Sequence, residues 1–450
     1  MKQSLPLQAF IDLAPFRALH VWVIGLGMAL LMADGFDTQS IGLVAPVIAA
    51  EWHVSPSAFG LVFGAGLTGG LIGAPLFGCL ADRIGRKPTI TAMVVLFAVA
   101  TLLTPLATSA AMLTALRFVT GLGLGGALPT IVTLVSEFTP TRMRTNVVAF
   151  VFAGFPLGSV IGSLISSQLI PMLGWRSVFF FGGGVPLLVL PLFLLRVPES
   201  PRFLATHGRE GAAAAILVRL RGDALWNGVV EASEEARASV RALFSAGRRE
   251  STIRIWLTLF CSLMVTVFLV SWMPMLARQA GITLGGAILG VSVLNLGGVL
   301  GSVVVGRLAD RFGLSKVVGL SYLAGACAIT LLGLSGRSEA LLLSMAFATG
   351  IMTVGAQMCA VAMASALYPT ELRATGVGWA IGVGRIGSVL GPVIGGFLIA
   401  ADMPQPLLFL IAGGVSLGAA LASIGIKFGP RTTRRAETAN FFRFVIGRTE

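Results

Sequence analysis

The sequence predicts an all-α membrane protein of twelve transmembrane helices in two homologous six-helix halves, with both termini cytoplasmic. Three observations predict it. Of 450 residues 56% are hydrophobic and 11% charged, with mean hydropathy +0.91, against about 25% charged in an ordinary soluble domain. Apolar stretches of the roughly 20 residues that a spanning helix needs recur along the whole chain, and only closed helices can carry such stretches through lipid. Short segments of the first half also return, in the same order, about 229 residues later.

Breaks at charges, Pro and Gly set the spans in turn. Span 1 covers 18–47; the first sixteen residues hold Asp12 and no apolar run of their own, so no cleavable signal peptide is expected and span 1 reads as an uncleaved anchor. Spans 2 and 3, at 57–80 and 88–108, flank the basic loop Arg83–Lys87. Span 4, 110–137, carries Arg117 and closes at Glu137; span 5, 145–170, follows Arg142–Arg144; span 6 is 176–196. The polar segment Pro198–Thr252 is the one long interruption. Within it Gly211–Arg221 and Glu231–Phe244 have helical character with charges on one face, as short surface helices would. Spans 7 to 12 follow at 253–277, 283–308, 315–335, 338–366, 373–400 and 404–427. The expected units are an N-terminal half (1–197), a cytoplasmic central loop (198–252), a C-terminal half (253–427) and a basic cytoplasmic tail (428–450).

A net charge of +13 raises the question of nucleic acid, and its placement answers it. With the N-terminus inside, 27 of the 32 Lys and Arg fall on one face, which is the positive-inside pattern and puts both termini in the cytoplasm. The basic tail (Lys427, Arg431, Arg434, Arg435, Arg443) then reads as a determinant of topology and anionic-lipid contact, with no nucleic-acid partner expected. Cys79, Cys261, Cys327 and Cys359 lack CxxC spacing and read as small packing residues. His20, His53 and His207 are too scattered for a metal cluster, so neither metal nor cofactor is expected.

The internal repeat is specific. Gly78-Cys-Leu-Ala-Asp82-Arg83-Ile-Gly85-Arg-Lys87 returns as Gly306-Arg-Leu-Ala-Asp310-Arg311-Phe-Gly313-Leu-Ser-Lys316; Phe118-Val-Thr-Gly121 returns as Phe347-Ala-Thr-Gly350; Pro140-Thr-Arg-Met-Arg144 returns as Pro369-Thr-Glu-Leu-Arg373. Parallel repeats of this kind put a substrate site between the halves near the midplane. The doubled Gly-x-Leu-Ala-Asp-Arg-x-Gly loop, with Arg117, Gly121 and Gly125 on span 4 and Pro198-Glu-Ser-Pro-Arg-Phe-Leu204 after span 6, resembles the signature of the major facilitator superfamily over nearly the whole chain. Asp34-Gly-Phe-Asp37 in span 1, followed by Ile41-Gly-Leu-Val-Ala-Pro46, resembles the aromatic acid:proton symporter family within it. The resemblance implies the major facilitator fold and proton-coupled uptake of a small aromatic carboxylate across a bacterial-type inner membrane, by a chain that works as a monomer and is no enzyme.

Asp34 and Asp37 lie far into span 1, more than about 20 Å from its start at 1.5 Å per residue, and their i, i+3 spacing puts both on one face. Inserting each costs roughly 2.5–3.5 kcal/mol near a helix centre. They read as a proton-coupling site, because burial and mutual repulsion favour the protonated form; structural pairing with arginines of neighbouring helices is the other reading. Arg117 and Arg385 are the basic residues embedded in apolar helices, each able to hold a substrate carboxylate through two parallel hydrogen bonds or to make a helix-to-helix ion pair. Trp272, Gln357 and Phe155 are cavity candidates. For the loops, the resemblance implies gating by Asp82, Arg83, Asp310, Arg311 and Arg373. It makes Glu137, with Arg144 beyond it, the partner of Arg83 in a cytoplasmic latch, or else a proton relay; Ala366 replaces Glu137 in the second half.

Small-xxx-small glycine sets on spans 2, 5, 8 and 11 (Gly60/Gly64, Gly66/Gly70, Gly69/Gly73, Gly154/Gly158/Gly162, Gly297/Gly301, Gly387/Gly391/Gly395) suit an interface on which two halves rock, though plain packing serves for any single one. Rival functions are a porter of sugars or other organic anions and a proton-driven exporter. Span 7 (Val265–Met275) lacks the paired glutamines of sugar porters, and Gly158-Ser-Val-Ile-Gly162 on span 5 lacks the proline expected of exporters, although Gly391-Pro392 occurs on span 11. An embedded enzyme or a nutrient sensor would need catalytic groups or a signalling domain that the sequence does not offer.

Overall fold

A computed structural model describes residues 7–221, 239–245 and 247–426. Among them are twelve helices long and apolar enough to cross a membrane: Ala18–Trp52, Pro56–Ile84, Arg86–Leu106, Ala110–Phe138, Thr141–Leu173, Arg176–Arg196, Arg249–Gln279, Leu284–Phe312, Leu314–Gly333, Glu339–Leu367, Glu371–Ala400 and Gln405–Ile424. These are spans 1 to 12. Most run longer than their apolar segments, because a helix continues into water on its own backbone hydrogen bonds once packing has nucleated it. Span 1 is 35 residues, about 52 Å at 1.5 Å per residue. It passes through Pro46 and stops where His53 turns left-handed at φ 54°.

Three spans are jointed, span 5 at Ala153 between Thr141–Phe152 and Gly154–Leu173. Span 4 breaks at Gly126, between Ala110–Gly125 and Ala127–Phe138. Span 10 contains a π-helical turn at Gly350–Val354, an insertion in the helical ladder of the kind often found at functional positions. Between the halves lie short helices at Pro201–Thr206 and Glu210–Arg221. Of the surface helix expected over Glu231–Phe244, residues 231–238 fall outside the described residues and Val240–Phe244 is a short 3-10 turn. The basic tail from Lys427 also falls outside them. An extra helix, Leu7–Asp12, precedes span 1, with Leu7, Phe10 and Ile11 buried.

Three apolar cores organise the chain. One joins the N-terminal half to the short helices after it, including Leu30, Phe97, Leu134 and Leu217. A second joins the C-terminal half to Leu243 of the central segment, including Ile255, Val305, Met363 and Tyr368. The third joins both: Phe36, Ile41, Phe59 and Phe63 with Val265, Phe268, Trp272 and Leu294. It lies toward the end of the bundle away from the Arg83–Lys87 loop, here termed the far end; the loop marks the basic end.

The glycines show the same division. At the far end a Cβ on Gly60 (span 2) would lie 3.1 Å from the Pro392 carbonyl oxygen (span 11), and one on Gly42 (span 1) 3.1 Å from that of Val270 (span 7). On the same four helices Gly78, Gly378, Gly382 and Gly25, nearer the basic end, meet nothing within 4 Å. The halves are therefore packed together at the far end and apart at the basic end. Most of the glycine sets expected to form the rocking interface instead weld helices inside one half. Gly69 and Gly73 meet span 4 at Phe118 and Leu122, Gly158 meets Met32 of span 1, Gly297 and Gly301 meet span 10, and Gly387 and Gly391 meet span 7. Only Gly60 and Gly64 of those sets, with Gly42 and Gly396 outside them, carry close approach between halves. The physical reason is that without a hydrophobic drive between helices in lipid, each half needs close backbone contact to cohere.

Candidate transport site

Span 1 delivers two carboxylates to the middle of the bundle, and they part company. Asp37 is 1% exposed and turns into the N-terminal half. One carboxylate oxygen accepts the Thr101 hydroxyl at 2.7 Å, and the other faces Arg117 Nη1 at 3.4 Å. Arg117 also donates to Thr104 Oγ1 at 2.8 Å and stacks over the Phe179 ring at 5.0 Å. Spans 1, 3, 4 and 6 thus enclose one ion pair, to which the threonines add hydrogen bonds while Arg117 Nε stays without one. In this state Arg117 is 3% exposed and held by Asp37, Thr101 and Thr104, the helix-to-helix ion pair that was its other reading.

Asp34 takes another direction. It is buried too, but accepts the hydroxyl of Thr38 at 3.2 Å, one turn along the helix, and Thr38 is exposed although it lies mid-span on an inner helix. The cation within electrostatic reach of Asp34 is Arg385 of span 11, in the other half. Arg385 is only partly buried and donates across the halves to the Gly70 carbonyl on span 2 at 3.4 Å. The i, i+3 spacing therefore serves two different sites.

Gln357 lies just past the π-helical turn of span 10. Its carbonyl oxygen accepts from Thr266 Oγ1 at 3.0 Å and Ser262 Oγ at 3.4 Å on span 7, and Tyr322 of span 9 donates to Ser262 at 2.7 Å. It remains partly exposed. Trp272 is fully buried in the shared core, its indole N–H donating to the Pro392 carbonyl at 2.9 Å and its ring edge-on to Phe63 at 5.2 Å. It is a packing residue between halves rather than the cavity residue expected, because its one polar atom is spent on the backbone. Phe155 contributes its backbone: the carbonyl abuts Gly35 where spans 1 and 5 cross.

At the basic end Glu137 has a different arginine partner from the one expected. Glu137 pairs with Arg86 at 3.3 Å, and Arg86 also reaches Asp82 at 3.4 Å and the Ala81 carbonyl at 3.1 Å. Arg83 is exposed. The helical phase decides this: Arg83 ends span 2 on its outer side, whereas Arg86, past the turn at Gly85 (φ 106°), starts span 3 facing Glu137. Glu199, a residue of the Pro198–Leu204 motif not singled out from sequence, caps span 3 by accepting the backbone N–H groups of Arg86 at 3.0 Å and Lys87 at 3.2 Å, a carboxylate at a helix N-terminus. Its signal lay in the motif, but its partner did not. None of these contacts reaches the other half. Arg144 donates weakly to the Thr139 carbonyl at 3.5 Å. Asp12 caps span 5 by accepting Thr141 N–H at 2.7 Å. Burial works against the Asp12 charge, yet the bonds from Thr141 and Gln8 outweigh it and hold the carboxyl below its ordinary range. In the second half Asp310, Arg311 and Arg373 are exposed, and none is in an ion pair among the described residues.

Comparison with known proteins agrees with this architecture. The profile of the Major Facilitator Superfamily matches residues 27–303 and 255–444. The chain is 37% identical over 423 residues to the gallate transporter of Pseudomonas putida, covering 93% of this chain and 94% of that protein. It is 36% identical over 435 residues to the 4-hydroxybenzoate transporter PcaK of Pseudomonas aeruginosa, covering 94% and 95%. Among solved structures it resembles a bacterial homolog of the human lysosomal transporter Spinster in an inward-facing, unoccupied conformation, with TM-score 0.74, 19% identity and coverage of 92% and 100%. It also resembles the xylose transporter XylE of E. coli in a partially occluded inward-open conformation, with TM-score 0.69, 19% identity and coverage of 90% and 97%. With twelve spanning helices, a repeated loop signature and no enzyme among these relatives, the chain is a multi-pass membrane transporter that belongs to the Major Facilitator Superfamily.

Proposed function

We propose that this protein takes up small aromatic carboxylates together with protons across the bacterial inner membrane, by alternating access of its two halves. The observation that carries the reading is the placement of Asp34, beside the exposed Thr38 of span 1 and within reach of Arg385 on the opposite half. The 36–37% identity to transporters named for gallate and 4-hydroxybenzoate supports the substrate class.

The chemistry follows from charge balance. With Asp34 ionised, Arg385 has a counter-ion and no call for another. When Asp34 takes a proton, the guanidinium is left to hold a carboxylate through two parallel hydrogen bonds. Proton and anion thus enter together, and one proton with one monovalent anion moves no net charge; a further proton would add about 2.3 kcal/mol per 100 mV. Gln357 offers its amide to the ring substituents. The Asp37–Arg117 pair shapes the N-terminal half beside this site. Asp82, Arg86 and Glu137 form the latch at the basic end, with the exposed Arg83, Asp310, Arg311 and Arg373 and the half-buried Arg144 as the charges that meet when that end closes. Both termini lie in the cytoplasm, the central loop 198–252 links the halves, the basic tail meets anionic lipid, and the monomer is the working unit.

Uptake of radiolabelled 4-hydroxybenzoate into proteoliposomes tests the reading. Saturable accumulation driven by an inward proton gradient, abolished by an uncoupler and lost in Asp34→Asn, is expected. No accumulation of any aromatic acid, with the variant indistinguishable from the parent, would overturn it.

A further inference from the structure

Between the transport site and the shared core, a pair of amides joins the halves. Gln39 of span 1 and Asn295 of span 8 bond reciprocally: Asn295 Nδ2 donates to Gln39 Oε1 at 2.9 Å, and Gln39 Nε2 donates to Asn295 Oδ1 at 3.2 Å. Asn295 Nδ2 also donates to its own Val291 carbonyl at 3.0 Å, which fixes the side chain. Both residues are buried, at 7% and 8% exposure, and both lie within about 20 Å of the far ends of their helices at 1.5 Å per residue. Leu294, next to Asn295, belongs to the apolar core shared by the halves, and Thr38, next to Gln39, is the hydroxyl that bonds Asp34. Every other side-chain contact described above between halves at the far end is apolar or ends on backbone.

We propose that Gln39 and Asn295 are positioning residues that form a polar clasp selecting the state closed at the far end. Alternating access opens that end only by separating span 1 from span 8, so the two bonds are made in one state and broken in the other. A bond present in only one of two states moves their ratio by its net worth, about five- to tenfold for one amide–amide bond. The asymmetry of buried polar groups sharpens the effect. Removing one amide strands the other in an apolar junction of the closed state, whereas in the open state water reaches it. Removing both leaves nothing stranded. The clasp requires alternating access but no particular substrate, so it is tested without one.

The experiment is labelling of Ser271→Cys by a hydrophilic maleimide in lipid nanodiscs, after the native Cys79, Cys261, Cys327 and Cys359 are changed to Ala. Ser271 is buried against Gly42 across the halves, so a thiol there reacts only when the far end opens. Gln39→Leu and Asn295→Leu should each raise the labelling rate about tenfold. The double variant should label more slowly than either single one, because no amide is stranded. The exchange Gln39→Asn with Asn295→Gln keeps both amides and the combined length, and should label within about twofold of the parent. Labelling of the single variants at the parent rate, or a double variant whose acceleration equals the product of the two, would overturn the clasp. A general loosening of helix packing would multiply the effects and would not be rescued by the exchange. Failure of the aromatic-acid uptake assay leaves this readout untouched.

Discussion

Replacing Asp37 by Asn tests what the buried pair contributes, because the side chain keeps its shape and loses its charge. At the 3.4 Å separation from Arg117, two unit charges at an effective dielectric of about 20 attract by about 5 kcal/mol. Losing one partner of a buried pair typically costs about 3–5 kcal/mol, because the other charge stays buried. Arg117 has no other anion to turn to: its remaining partners are the hydroxyls of Thr101 and Thr104 and the face of Phe179. Asp37→Asn should therefore lower the thermal midpoint of the purified protein by roughly 3–5 °C. Adding Arg117→Met, which removes the stranded charge and refills its volume, should recover most of that loss. The assay is thermal unfolding in detergent followed by loss of monodisperse protein, for the parent, both single variants and the pair. Equal midpoints for Asp37→Asn and the parent would refute the reasoning, as would a double variant less stable than both singles.

Three further outcomes are expected. Arg385→Lys keeps the charge but loses the bidentate fork, so the KM for 4-hydroxybenzoate uptake should rise by about ten- to a hundredfold with the protein still folded, a range set by about 1.5–3 kcal/mol for a charged hydrogen bond. Glu137→Gln and Arg86→Ala should each change the rate of substrate exchange at the latch by more than about threefold, while Arg83→Ala, exposed in this state, should change it less; stopped-flow exchange measures all three. Gly121→Ala drives a Cβ into the Gly66 carbonyl where spans 2 and 4 touch, an overpacking cost of about 1–3 kcal/mol that should show as lower expression and a lower thermal midpoint.

Much of the architecture is legible because lipid leaves few alternatives. Twelve apolar runs must be helices, and the returns of Asp82-Arg83 as Asp310-Arg311 reveal the duplication. Span ends were less legible: nothing in Pro46 or Thr141 says that the helix runs through one and starts at the other. The intramembrane charges could be found by hydropathy alone, but their pairing could not. Asp34 and Asp37 share a helix face, yet 100° of rotation per residue over three residues is enough to send one toward Arg117 and the other toward Thr38 and the opposite half. Arg86 outcompetes Arg83 for Glu137 through a turn at Gly85 that a motif does not encode. Gln39 and Asn295 stayed hidden because single amides 256 residues apart carry no pattern until the two halves meet.

The ion pair Asp37–Arg117 and the more distant couple Asp34 and Arg385 differ in what joins them. Asp37, Thr101, Thr104 and Arg117 all belong to the N-terminal half, so a rocking motion carries them as one body and leaves their distances unchanged. A group whose surroundings are the same in both states has no differential free energy to contribute to the equilibrium between them. Asp34 and Arg385 belong to different halves, and Arg385 also bonds Gly70 across the divide. Their separation must change as the halves rock, so a proton on Asp34, or an anion on Arg385, is felt differently in each state. The same test picks out Gln39 with Asn295, and it leaves aside the Glu137–Arg86 pair, which stays inside one half in this state. On the proposed mechanism, coupling of proton, substrate and access runs through the residues that bridge the halves, and the buried Asp37–Arg117 pair holds the frame still.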